Sequence, residues 1–181
     1  QRPYREEDYL LSDTSYGIQK IAIENYLSIA TKTSSIKATV LRISNPYGVL
    51  LPTYRKQGFI GIALNRLIYG ESVHLFGNPE NVRDYIHLDD VVNAIYKVFF
   101  RDGNLFDIFN IGSGVGYSIL ELINLIEKII GYTIKIEYVK QKGADVLPGY
   151  VVLDITKAMK VIEWQPTISL EDGLTHFIQK N

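Results

Sequence analysis

Apolar residues recur at Ile18, Ala22, Tyr26 and Ile29 behind a run of small polar residues, Ser12-Asp13-Thr14-Ser15. Steps of three and four keep one face of a helix, and the run offers N-cap side chains, so the pattern predicts a helix of about four turns. Residues 37–43 (KATVLRI) are rich in β-branched groups and end in Ser44-Asn45-Pro46-Tyr47-Gly48, which predicts a buried strand running into a loop. A second helix is predicted over 59–69, stopping at Gly70, followed by a short strand over 73–76 closed by Gly77-Asn78-Pro79. Asp89 and Asp90 open a third helix whose inward stripe is Val91, Ala94, Ile95, Val98 and Phe99. Residues 106–111 read as a strand broken by Gly112-Ser113-Gly114. Ser118 and Glu121 form a capping box, and the stripe Ile119, Leu122, Ile123, Ile126 and Ile130 runs to a stop at Gly131. Residues 133–139 alternate as a half-solvated strand should, and a last helix starts at Ser169, burying Leu170, Leu174, Phe177 and Ile178. The class is α/β, without internal repeats and with too few alternating strands to complete a doubly wound sheet.

Composition narrows the function classes. With 19 basic and 20 acidic residues in 181, the net charge of −1 gives no long-range positive field for a nucleic-acid backbone or an anionic membrane, so an anionic ligand has to be small and met locally. The absence of cysteine excludes disulfides, thiolate metal sites and a cysteine nucleophile, and fits a reducing compartment. His74, His87 and His176 are widely spaced and form no zinc-binding pattern. No apolar run approaches the roughly 20 residues of a spanning helix, and a soluble, cytoplasmic protein is expected. The chain opens on Gln1-Arg2-Pro3-Tyr4 without a methionine, from which we expect a piece of something longer.

Tyr16 and Lys20 stand four apart at the start of the first helix, on one face and about one turn apart. A phenol acts as a base near neutrality only if its pKa falls from ~10 by about three units, which takes ~4 kcal/mol of anion stabilisation. A neighbouring ammonium and a cationic nicotinamide ring are groups that supply it. The spacing alone is open to a second reading, a solvated helix face, because chance supplies such a pair in a tyrosine- and lysine-rich chain. A second instance, Tyr138 and Lys142, leaves a strand, where i and i+4 are far apart.

Further blocks follow in order: Arg42 and Asn45-Pro46-Tyr47-Gly48; Phe76-Gly77; Val82-Arg83-Asp84-Tyr85-Ile86-His87-Leu88-Asp89-Asp90; Phe109-Asn110-Ile111-Gly112-Ser113-Gly114; and Lys142-Gly143-Ala144-Asp145-Val146. From about Glu7 onward the chain resembles the second half of the extended short-chain dehydrogenase/reductase family, in particular its NAD-dependent sugar-nucleotide epimerases. The resemblance implies the last helix and strand of a Rossmann-type domain over 1–50, with the catalytic Tyr/Lys helix. It implies a nucleotide-sugar binding region over 51–181, some of whose elements return to the Rossmann part. The family's glycine-rich fingerprint is missing, since Gly112-Ser113-Gly114 comes too late and reads as a turn. By the resemblance, a cofactor-binding portion and a catalytic Ser or Thr precede Gln1.

The resemblance also implies roles. Tyr16 is the acid/base, and Lys20 binds the nicotinamide ribose and favours the phenolate. The backbone of Ser44 lies by the nicotinamide, and Asn45 meets the substrate diphosphate or sugar. Ile60, His74 and Phe76 line the nucleoside pocket, Arg83 pairs with the diphosphate or ribose, and Lys142 stands where relatives carry an arginine, a point charge in place of a bidentate fork. Asp145 accepts from a ribose hydroxyl or steadies a turn, and Arg83 has a second reading as an ion pair to Asp84 or Asp89. His87 and Asp90 read as structural, the aspartate as a helix cap. Among Gly149, Tyr150 and Val151 one gates the sugar pocket.

The implied activity is UDP-hexose 4-epimerisation with NAD, by a homodimer paired through the Tyr/Lys helix. A nucleotide-sugar 4,6-dehydratase, or a reductase or decarboxylase relative, stays open, as does a non-catalytic nucleotide-sugar binding or dimerisation module. The 181 residues alone are expected to show no turnover.

Overall fold

Thr14 sets the start of the first helix, α1 (Ser15–Thr33), by accepting the Gly17 N–H at 3.1 Å. A Cβ on Gly17 would lie 2.1 Å from Ser12 Oγ, so only glycine lets the capping loop close onto the helix. The structure, a computed structural model, describes residues 2–55, 58–139 and 148–180. Among them no helix is long and apolar enough to cross a membrane.

After α1 the chain enters β1 (Ala38–Ile43), which pairs in parallel with β5 (Phe106–Ile111) from Ala38↔Phe106 to Ile43↔Ile111. Arg42 points to α1, whereas Leu41 packs with Phe109 and Ile111 against α3 (Leu88–Phe99), α5 (Thr156–Val161) and Trp164. Successive strand residues face opposite ways, so α1 covers one face of this pair and α3 the other. Each buried side chain here contributes about 1.5–3 kcal/mol from apolar surface removed from water.

A second core lies around β2 (Asn45–Tyr47), α2 (Phe59–Ile68), β3 (Val73–Phe76), β4 (Val82–His87), α4 (Ile119–Ile130) and α6 (Leu170–Lys180). β4 organises it. It pairs in parallel with β2, antiparallel with β6 (Gly116–Ser118) and in parallel with β8 (Tyr150–Val151). β3 pairs separately with β7 (Ile136–Val139). The capping box of Ser118 and Glu121 is formed on both sides, and Gly131 ends α4 at φ +80°, a left-handed conformation that suits glycine.

Three expectations need correcting. Ile18, Tyr26 and Ile29 of α1 are exposed, because the helix has apolar groups on more than one face and turns the one containing Ile21, Glu24 and Thr31 toward the sheet. Ile95 and Phe99 of α3 likewise face out; Val91 and Ala94 carry its buried side. Asp90 is structural but is not a cap. His87 Nδ1 caps α3 by accepting the Asp89 N–H at 3.2 Å. The buried Asp90 carboxylate instead accepts from Thr167 N, Thr167 Oγ1 and Ile168 N at 2.8–3.1 Å, and its carbonyl accepts from Trp164 Nε1.

Gly173 of α6 lies directly against the Tyr47 phenol, and a Cβ there would sit 2.1 Å from Oη. Gly173→Ala is therefore expected to destabilise the fold by about 1–3 kcal/mol through overpacking, measured as a lowered midpoint of urea unfolding in the whole protein.

Candidate functional site

The Tyr16–Lys20 spacing becomes a contact. Lys20 Nζ lies over the Tyr16 ring, 5.3 Å from its centroid, and the phenol is 62% exposed. The pair thus shares one open face of α1. An exposed cation–π contact contributes about 0.5–1 kcal/mol, enough to favour this arrangement while leaving both groups available.

What places α1 is Arg42. Its Nη2 and Nε donate to the two carboxylate oxygens of Glu24 at 2.7 and 3.0 Å, and its Nη1 donates to the Glu6 carbonyl at 3.0 Å. Both side chains are less than a fifth exposed. This bidentate pair holds α1 against β1, the strand that Ser44 follows. Glu6 in turn accepts the Asn110 N–H at 2.8 Å, tying the approach to α1 onto β5.

Ser44 and Asn45 follow β1 directly, and both meet Asp84. Ser44 Oγ donates to Asp84 Oδ1 at 3.2 Å, and Asn45 Nδ2 donates to the Asp84 carbonyl at 3.2 Å. Asn45 is in register with Tyr85, so it shares a face of the β2–β4 pair with Arg83, two residues back along β4. Register also separates the gate candidates: Val151 stands opposite Arg83 on that face, while Tyr150 stands opposite Val82 on the other.

Arg83 is half-buried and makes no ion pair among the described residues; its Nη1 donates to the Val82 carbonyl at 2.7 Å. Of the two alternative partners, Asp84 is engaged elsewhere, by Ser44 and the 113–114 turn, and Asp89 forms no ion pair with Arg83. Burial pushes the guanidinium below the ordinary arginine value. Tyr85, pushed up to about 12 by burial, stays a neutral phenol beside it. A half-buried cation without a counter-ion gains from a bound anion.

His74 and Phe76 project from the same face of β3, with their rings edge to face and centroids 6.4 Å apart; Phe76 is 45% exposed, an open aromatic surface. His74 Nε2 is 3.4 Å from Glu137 Oε2 and also 3.4 Å from Arg66 Nη1. The Ser72 hydroxyl, at 2.7 Å, is the main cause holding Glu137 below the usual carboxylate range, with His74 adding to it. Ile60 differs from its expected place on a pocket wall. It is 2% exposed and sits in the core with Tyr47 and Leu64, so it has no open surface to offer a base. Lys142 and Asp145 lie outside the described residues. Asp84 was missed from the sequence as a functional candidate, since only the fold brings Ser44, Ser113 and Leu153 around it.

With this geometry in hand, the chain belongs to the NAD dependent epimerase/dehydratase family, whose pattern matches residues 1–112. It is 37% identical over 177 residues to a dTDP-4-dehydro-6-deoxyglucose reductase of Escherichia coli, covering 98% of this chain and 55% of that protein. Among solved structures it is similar to the UDP-glucose 4-epimerase of Thermotoga maritima with UDP-glucose, at a TM-score of 0.89 and 36% identity, over 99% of this chain and 57% of that one. It is also similar to a dTDP-glucose 4,6-dehydratase of Bacillus anthracis in complex with NAD, at a TM-score of 0.86 and 25% identity, over 99% of this chain and 55% of that one. The α/β architecture is that of these Rossmann-type enzymes, and the chain spans just over half the length of the relatives it matches.

Removing one side of the Arg42 clamp is expected to loosen α1. Glu24→Ala should lower stability by about 1–3 kcal/mol, by leaving the largely buried guanidinium with only a carbonyl partner, and chemical denaturation of the whole protein measures it.

Proposed function

We propose that the whole protein carrying this chain is an NAD-dependent nucleotide-sugar 4-epimerase of the UDP-hexose type. The contact of Lys20 with the exposed Tyr16 ring on the helix clamped beside the Ser44 strand end carries the reading. The half-buried Arg83, without an ion-pair partner among the described residues, supports it from the substrate side.

In this reading Tyr16 takes the proton of the sugar C4 hydroxyl, and the resulting anion is stabilised by the Lys20 ammonium and by the positive N-terminal end of α1. NAD, when bound, supplies a hydride acceptor and donor at C4. The residues fit such a group: the phenol and ammonium are open on one face, and Ser44 is fixed at the end of the adjacent strand by its bond to Asp84. Lys20, whose ammonium makes only the Tyr16 ring contact among the described residues, can also donate to a ribose hydroxyl. Arg83 and Asn45 hold the diphosphate or sugar from β4 and β2, and Phe76 with His74 takes the base face. Once the 4-keto sugar forms, Tyr16 holds the proton that it gives back when C4 is reduced from the other face. Lys142 and Asp145 complete the grip on the nucleotide. A cytoplasmic homodimer meeting through the exposed side of α1, with Tyr26 and Ile29, is part of the same reading.

A second reading, net reduction of a 4-keto sugar nucleotide, is favoured by the 37% identity to the Escherichia coli reductase. Tyr16 would then donate its proton to the C4 oxygen in one direction only.

Incubating the whole protein with UDP-glucose carrying deuterium at C4 tests the choice: UDP-galactose with the label retained at C4 supports epimerisation. NADH consumption with a dTDP-4-keto-6-deoxyhexose, and no epimer, replaces it with the reductase. Tyr16→Phe is expected to lower kcat about 10²–10⁴-fold while UDP binding is kept. Arg83→Gln is expected to weaken UDP binding roughly 10–100-fold by removing charge-assisted hydrogen bonds, read by titration calorimetry.

A further inference from the structure

Asp84 has a role that the chemistry above does not assign. Its carboxylate is fully buried. Oδ1 accepts from Ser113 Oγ at 2.7 Å, Ser113 N at 2.8 Å and Ser44 Oγ at 3.2 Å. Oδ2 accepts from Gly114 N and Leu153 N, both at 3.2 Å. The fit is so close that a Cβ on Gly112 would stand 2.4 Å from Oδ2. Ser44 follows the end of β1, Gly112 to Gly114 follow the end of β5, and Leu153 follows β8. Asp84 itself comes from β4, between Arg83 and Tyr85, and faces away from Arg83.

One carboxylate therefore joins the carboxyl ends of the parallel β1–β5 pair to the strand that carries Arg83. Ligands of open α/β sheets bind at those carboxyl ends. A buried carboxylate satisfied by donors from three separate segments fixes their spacing far more narrowly than apolar packing, because each bond loses strength within a few tenths of an ångström and the charge has no other partner among the described residues.

We propose that Asp84 is a positioning residue, which sets the distance between the nicotinamide-facing end of β1 and the sugar held by Arg83 and the 150–153 segment. This rests on the reading of the protein as a C4 hydride-transfer enzyme. Asp84 touches no reacting atom; its carboxylate acts through Ser44, the 113–114 turn and Leu153. In the Asp84→Asn variant the new amide NH₂ points its hydrogens at N–H or O–H donors on one side, so that side opens and the two halves of the site drift apart. A misplacement on the order of 1 Å costs hydride transfer up to about 100-fold while leaving the nucleotide grip on Arg83 in place.

The test uses the whole protein with Asp84→Asn and, separately, Ser113→Ala. Fold is followed by circular dichroism, UDP affinity by calorimetry, and kcat and KM by turnover of the substrate that the parent accepts. Expected for Asp84→Asn is a kcat at least about tenfold lower with UDP affinity within about threefold of the parent, and for Ser113→Ala a smaller fall of the same kind. An unchanged kcat in a folded Asp84→Asn protein overturns the proposal. So does a parallel fall of kcat and UDP affinity, which marks general loosening. If Asp84→Asn does not fold, Ser113→Ala decides on the same readouts. A parent protein that moves no hydride on any nucleotide hexose defeats the functional reading instead. Amide hydrogen exchange then decides for Asp84: faster exchange at Ser113, Gly114 and Leu153 together, with α4 unchanged, supports it, and unchanged exchange at those three overturns it.

Discussion

A negative charge sealed inside the protein is the constraint around which the rest is arranged. Taking a carboxylate out of water costs several kcal/mol, and the cost is offset only when every lone pair finds a donor. At Asp84 the donors come from residues far apart in sequence, Ser44, Ser113, Gly114 and Leu153, so the chain cannot satisfy that group until both cores have formed around it. Asp90 repeats the device in the first turn of α3, where its buried carboxylate holds Thr167 and Ile168 and its carbonyl accepts from Trp164 Nε1. Among the described residues no buried side-chain nitrogen or oxygen is left without a partner. Between the two aspartates runs the stretch Tyr85, Ile86 and His87, buried throughout, and this short length of chain links one core to the other.

That arrangement explains why this stretch is hard to read by periodicity. A strand with one wet face alternates; the pattern predicts such a strand over 133–139, and β7 occupies only its second half, Ile136–Val139, where Glu137 and Tyr138 are both exposed. β4 does not alternate: Asp84 to His87 are buried in succession, and polar members hide the apolar ones. Capping and stop signals fared better because they are local. The Ser118–Glu121 box and Gly131 act through neighbouring backbone alone, and β5 lies on residues 106–111, the stretch that reads as a strand broken by Gly112-Ser113-Gly114. Facing was the harder part. On α1 and α3 apolar side chains occupy more than one side, and which side is buried depends on strands distant in the chain.

The candidate site divides in the same way. Tyr16 and Lys20 are legible because a helix turns spacing into contact without outside help. Asn45 and Arg83 share a face only through the β2–β4 register, and Val151 is separated from Tyr150 only by the β4–β8 register. Ile60 shows the reverse error: an apolar residue suited to a pocket wall is taken up by the core instead. Family membership supplies the order of the blocks, and the fold decides which of them meet.

Gly112 gives the buried aspartate a genetic counterpart. Because a single methyl group at position 112 would collide with the Asp84 carboxylate, neither residue has freedom to drift alone. Substitutions at the two positions should survive only as compensating pairs, and a lineage that replaced the acid by something smaller would be released to place a side chain where the bare backbone now passes.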